Sequence, residues 1–105
     1  MALVADGFEW DDGNRDKCRK HGLSHDDIEY VLLHSETLIV PDLKNSMVEP
    51  RSIAIGRTMS GRYAFVVFTL RTKGSVVLLR PISARHMHGK EIATYEEEIS
   101  RIENR

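Results

Sequence analysis

The apolar and polar positions change their period along this chain, and each change marks an element. "GFEWDDGNRDKCRKHG" opens with two aromatics and turns polar, which predicts a short strand near Phe8 to Trp10 and a helix from about Asp11. Asp11 or Asp12 supplies its cap, because a short carboxylate there accepts from the free amides of the first turn. Gly22 stands where a helix C-terminal glycine belongs. Arg19, Lys20 and His21 before it face the negative end of the helix dipole, an attraction of about 0.3 to 1 kcal/mol each. "SHDDIEYVLLHS" predicts a second helix: Ser24 and Asp27 have capping-box spacing, and Ile28, Val31 and Leu32 share one face.

Pro41 closes the apolar "TLIV", and the polar loop "PDLKNSMVEP" runs to Pro50. From Arg51 the pattern is β. "RSIAIG", "RYAFVVFTL" and "SVVLLRPI" are rich in Val, Ile and aromatics and are separated by "SG" and "KG" turn signals, which predicts an antiparallel meander of three or four strands. In the tail, Ile92, Tyr95, Ile99 and Ile102 form an apolar stripe at helical spacing, so a last helix packs on the sheet or on a partner. The whole reads as one α+β domain over residues 1–105, N-terminal helices and a C-terminal helix packed on an antiparallel sheet.

Composition narrows the function classes. With 41% hydrophobic and 30% charged residues the chain has enough apolar surface to fold. A formal charge of -1 argues against a generally basic nucleic-acid coat protein, so any phosphate-binding face must be local. A single cysteine, Cys18, rules out an internal disulfide and the cysteine-rich metal motifs, which fits the reducing cytoplasm. No apolar stretch approaches the roughly 18 to 20 residues that cross a bilayer, and the N-terminus does not read as a secretory signal.

Gly-rich phosphate loops, paired cysteines and a nucleophile elbow are all missing from the sequence. His86 and His88 in "HMH" read more simply as exposed histidines at a helix start than as metal ligands, and no cofactor is implied. What the chain does carry is a set of cations tied to sheet and helix ends: Lys20, His21, Arg51, Arg71, Arg80 and Arg85. Arginine grips phosphate through a planar fork and can stabilise charge in a transition state. RNA supplies its own nucleophile, the 2′-hydroxyl, so a general base or acid completes the requirement, and His21 and Glu49 are the candidates. Each has a plainer reading beside it. Lys20 and His21 complement a dipole, Arg51 and Arg71 pair with carboxylates such as Glu49, and Arg85 forms a structural salt bridge. Trp10 and Tyr63 read as core or edge aromatics, Cys18 as a packing residue, and the acidic run Glu96, Glu97, Glu98 and Glu103 as a solvated helix face.

These residues fall in blocks that resemble the BrnT toxins of bacterial type II toxin–antitoxin systems. "FEWD" (8–11), "KHGLS" (20–24), "EPRSIAIG" (49–56), "GRYAFVVFTLR" (61–71) and "PISAR" (81–85), followed by Glu91 and Tyr95, lie in the family's order from Phe8 to about Glu96. The resemblance implies a RelE-like fold and a metal-independent endoribonuclease that arrests translation and growth. It also implies a BrnA-like ribbon-helix-helix antitoxin, joined in a heterotetramer of two toxins and two antitoxins that represses its own promoter, touching operator DNA only through the antitoxin. The positions that match the family's charged motifs are Lys20, His21, Glu49, Arg51, Arg71 and Arg85. In this reading Arg85 and Arg71 hold the scissile phosphate, His21 or Glu49 moves protons, and Lys20, Arg51 and Arg80 bind the RNA. Gly13, Lys17 and Pro50 depart from the family's pattern. The alternatives are a catalytically weak homologue acting as an antitoxin-binding co-repressor and, with less behind it, a DNA-binding regulator, for which no helix-turn-helix signal is present.

Overall fold

The computed structural model describes residues 5–45 and 48–103, with the side chains of Asn45, Ile102 and Glu103 outside the described part, so the readings of Ile102 and Glu103 fall there. In chain order the elements are β1 (Gly7–Phe8), α1 (Asp12–Arg19), α2 (His25–Leu33), β2 (Leu38–Pro41), β3 (Ser52–Arg57), β4 (Tyr63–Lys73), β5 (Val76–His86) and α3 (Gly89–Glu103). Both N-terminal helices start on reciprocal caps. Asn14 N donates to Asp11 Oδ1 at 3.1 Å while Asp11 N donates to Asn14 Oδ1 at 2.7 Å. Asp27 N donates to Ser24 Oγ at 3.1 Å, and Ser24 N to Asp27 Oδ2 at 3.3 Å. Each cap satisfies amides that the first turn leaves orphaned. Gly22 turns the chain between the helices at φ +86°, a left-handed conformation that any side chain would strain.

Five strands form one open sheet in the order β1-β5-β4-β3-β2. β3 to β5 are the predicted antiparallel meander and β2, from the apolar segment closed by Pro41, adds an antiparallel edge strand, but β1 runs parallel to β5, with Gly7 opposite Leu78 and Phe8 opposite Leu79. The sheet is therefore mixed, which corrects the purely antiparallel expectation. A parallel neighbour needs a long crossover, and here both helices and three strands intervene before the chain returns to β1. β5 also runs on through Arg85 and His86, so the cation-rich segment is part of the strand rather than its exit. Pro81 does not stop it because the register shifts at the opposing Val67/Phe68, and a bulge tolerates a residue with no N–H to donate.

Strand alternation gives the sheet two unlike faces. One row runs Ile39, Ala54, Val66, Ala84 across the strands, and this face meets Cys18, Leu23, Ile28, Val31 and Leu32 of the α1–α2 layer in the core. The opposite face carries the rows Leu38, Ile55, Phe65, Arg85 and Val40, Ile53, Val67, Ser83, none of them fully buried. Asn14 fastens α1 to the sheet, its buried Nδ2 donating to the carbonyls of Glu9 at 2.9 Å and Pro81 at 2.8 Å. Thr37 similarly caps α2 by donating to Val31 O at 2.6 Å.

α3 does not lie across the sheet. None of its described side chains is buried; Ile92, Tyr95 and Ile99, the predicted stripe, are half-exposed. Only Met87 and His88 separate β5 from α3, so the helix starts at the end of the sheet. It touches the body through an Arg85–Glu91 ion pair and a Tyr63–Tyr95 ring contact. Among the described residues no helix is long and apolar enough to cross a membrane.

Candidate functional site

The fold sorts the candidate residues into separate places. His21 follows α1 and lines a small depression of about 100 Å³ with Phe65, Ser83, Ala84 and Arg85. β1 pairs only with Leu78 and Leu79, so the last part of β5 is an open edge that the α1–α2 turn can reach around. Lys20, just before His21, is exposed and, among the described residues, makes no side-chain hydrogen bond or ion pair. An imidazole, a guanidinium and an aromatic ring thus border one hollow at the edge of the sheet.

Arg85 is held firmly there. Its Nη1 and Nη2 donate to Glu91 Oε1 and Oε2 at 2.6 and 2.7 Å, and its guanidinium lies over the Phe65 ring, 4.7 Å from the centroid. Glu91 also accepts from the His88 backbone N–H at 3.0 Å, which anchors the first turn of α3. The Arg85 fork, followed by that amide, holds the Glu91 carboxyl down at about 2, and Glu91 in turn raises Arg85. The structural salt bridge read as one option for Arg85 is present.

Arg71, Glu49 and Arg51 sit elsewhere. Arg71 is on the same face as Phe65 but six residues further along β4, a separation of about 20 Å at strand rise. It pairs with Glu49 at 3.3 Å, the plainer reading of both residues, and its buried Nε has no hydrogen-bond partner among the described residues. Arg51 immediately precedes β3 at this end, where its carbonyl accepts from Asp42 N at 2.8 Å. One phosphate cannot touch both Arg85 and Arg71, and Glu49 is equally remote from the His21 hollow.

Arg80 belongs to neither end as a free cation. It donates to Asp11 at 2.8 Å and Glu9 at 3.1 Å, and Glu9 also meets Lys73 at 2.8 Å. Asp11 raises the guanidinium and is itself lowered by it, while the Lys73 contact leads the lowering of Glu9. This cluster ties β1 and the α1 cap to β4 and β5. Trp10 is structural as read, stacked on His25 at 4.3 Å and donating to Glu29 at 2.9 Å. Burial pushes the Cys18 thiol up to about 11, which keeps it unreactive. Of the departures, Gly13 is exposed on α1, and Pro50 contributes its carbonyl, which accepts from Thr69 Oγ1 at 2.7 Å. Among the described residues no group of three or more His, Cys, Asp or Glu is placed to hold a metal ion.

Some residues at these sites were not read as site residues from the sequence. Phe65 and Ser83 were invisible because only strand register puts them beside Arg85. Glu91 had a local signal, since it lies three residues after His88, the spacing at which a carboxylate reaches back to a helix start. Arg57, Tyr63 and Tyr95 converge at the far lip of the same face, where Arg57 lies 4.7 Å over the Tyr63 ring and Tyr95 meets that ring at 5.4 Å.

No curated protein matches the chain. The family model of the ribonuclease toxin BrnT of type II toxin–antitoxin systems matches residues 10–91, most of the chain and all of both cationic ends, and the chain belongs to that family.

Proposed function

We propose that the chain is a metal-independent endoribonuclease whose reaction centre is the hollow between His21 and Arg85. The observation that carries this is the meeting of an exposed imidazole and a rigidly held guanidinium at one uncovered sheet edge. Arg85 faces the scissile phosphate and stabilises the charge that develops as the 2′-oxygen attacks phosphorus. His21 takes the 2′-hydroxyl proton, and the 5′-oxygen leaves, protonated by water, from a cyclic phosphate product. Lys20 draws the RNA toward the hollow by simple attraction, unhindered by any carboxylate partner among the described residues. Arg71, oriented by Glu49, and Arg51 hold a different phosphate of the same strand.

The family supplies the setting. A type II toxin works against a protein antitoxin, and we infer a BrnA-like ribbon-helix-helix partner in a complex of two toxins and two antitoxins, binding operator DNA through the antitoxin in the cytoplasm. The fold this reading expects is RelE-like, with a helix layer on one side of the sheet and cations on the other.

One observation favours a second reading. Glu91 occupies both outer nitrogens of Arg85, so a phosphate must compete with an internal carboxylate for the fork. A chain in which that competition fails keeps its antitoxin and its role in repression but does not cut. Antitoxin-free protein incubated with mixed RNA in chelator separates the two. Cleavage by wild type that falls by about 100-fold or more in His21→Ala, an exposed position, and in folded Arg85→Ala supports the enzyme. No cleavage with or without ribosomes moves the co-repressor ahead.

A further inference from the structure

A groove of about 910 Å³ opens between α3 and the end of the sheet. Its walls are rich in rings: Tyr63 and Tyr95 meet edge-on at 64° on one side, and Tyr30 and His34 at the end of α2 stand 5.3 Å apart on the other. Arg57 covers Tyr63 while its Nη2 donates to the Tyr63 hydroxyl at 2.9 Å. The lining holds two carboxylates, Glu36 and Glu96, against this one guanidinium. That balance repels phosphate. It suits a group with a flat π-face and hydrogens to donate.

Position links the groove to the proposed reaction centre. Tyr63 lies two residues before Phe65 on the same face of β4, about 7 Å along the strand, and Phe65 is opposite Arg85. That is the scale of one step along an extended nucleotide chain. The same Arg-over-ring motif therefore repeats at neighbouring positions, Arg85 on Phe65 from β5 and Arg57 on Tyr63 from β3.

We propose that this groove is the base-reading subsite of the ribonuclease, taking an unpaired nucleobase next to the scissile phosphate. The base stacks from the groove against the Tyr63–Tyr95 pair, beside Arg57, as single-stranded RNA does on aromatic and guanidinium planes. Glu36 and Glu96 accept hydrogen bonds from an exocyclic amine, which adenine and cytosine carry and uracil lacks. Tyr63, which reads from sequence as a core or edge aromatic, becomes the floor of the subsite. The assignment rests on the ribonuclease reading for its choice of ligand.

The test uses five-nucleotide 2′-O-methyl strands of adenosine, cytidine or uridine, which lack the nucleophile and so report binding without cleavage. Fluorescence anisotropy with the whole protein is expected to show adenosine and cytidine strands binding more tightly than uridine. Arg57→Ala and Tyr95→Ala, both at unburied positions, weaken that binding about tenfold, and Tyr95→Phe retains it. This result supports the subsite even if the wild type fails to cut RNA, so the two readings fall separately. Unchanged affinity in both alanine variants overturns the subsite while leaving His21 and Arg85 to be judged by cleavage, and so does a wild type that binds none of the strands. Equal binding of uridine overturns the amine contact. Loss of the antitoxin complex in variants whose RNA affinity is unchanged gives the groove to protein docking instead.

Discussion

Arg85 and Glu91 are about one-third exposed, so their pairing is screened by water even though both fork contacts are short. Glu91 titrates near 2 in the folded chain against an ordinary 4.5, so it holds fewer protons folded than unfolded through that interval. The pair therefore stabilises the fold above about pH 4.5 and loses its contribution as the pH falls toward 2. Allowing for screening, Glu91→Gln is expected to lower stability at pH 7 by about 1 kcal/mol. That is roughly 4 to 8 °C of melting temperature. Melts of both proteins from pH 7 to pH 2 check the sign: the gap must shrink between pH 4.5 and 2, and one that holds constant means the pair contributes through packing. A residue-level reading could name Arg85 and offer a salt bridge for it. It could not choose Glu91 as the partner, because their approach depends on where β5 stops and α3 starts, two residues apart.

The N-terminal helices were legible as elements because their signals are local. Ser24 with Asp27, and Gly22 between the helices, depend only on neighbours in the chain. β1 was legible as a strand but not in its direction, since its partner lies some 71 residues away and two residues carry no register signal. The C-terminal stripe gave the helix but left its packing open between sheet and partner, because an apolar face states that something is to be covered and not what covers it. Asp11 shows how a local signal acquires a distant role. It caps α1 and also binds Arg80 of β5 at 2.8 Å, so one carboxylate starts the helix and fixes it to the sheet. Asp11→Ala is expected to lower the urea unfolding midpoint, with an unchanged m-value. Asp11→Asn keeps an acceptor for the cap and loses the charge, so it should recover at least half of that loss. An asparagine variant as unstable as the alanine one assigns the effect to Arg80 and leaves the cap idle.

At the scale of the molecule, the charges that sequence position groups together are held apart by strand length. Arg71 and Arg85 both flank glycine-free β segments rich in apolar residues, and nothing in their spacing along the chain distinguishes one site from two. The register decides it: even numbers of residues keep Phe65 and Arg71 on one face, and six of them set the two cationic ends about 20 Å apart across the apolar rows of that face. If RNA lies along this face, each end neutralises its own phosphate. Arg71→Ala and Arg85→Ala should then act independently on binding to a 2′-O-methyl strand long enough to span both ends, with a double-mutant loss equal to the sum within about 0.5 kcal/mol. Each substitution should also flatten the plot of log affinity against log salt by about 0.7, the single-strand value for one phosphate contact. Cleavage need not follow the same additivity, because the proposed arrangement puts Arg85 at the reaction centre and Arg71 on the strand beyond it. A double mutant that binds no worse than either single variant, with only one contact's worth of slope lost, would place both arginines on one phosphate. The sheet would then have to bend or open to bring its ends together, and the two-ended arrangement would have to be abandoned.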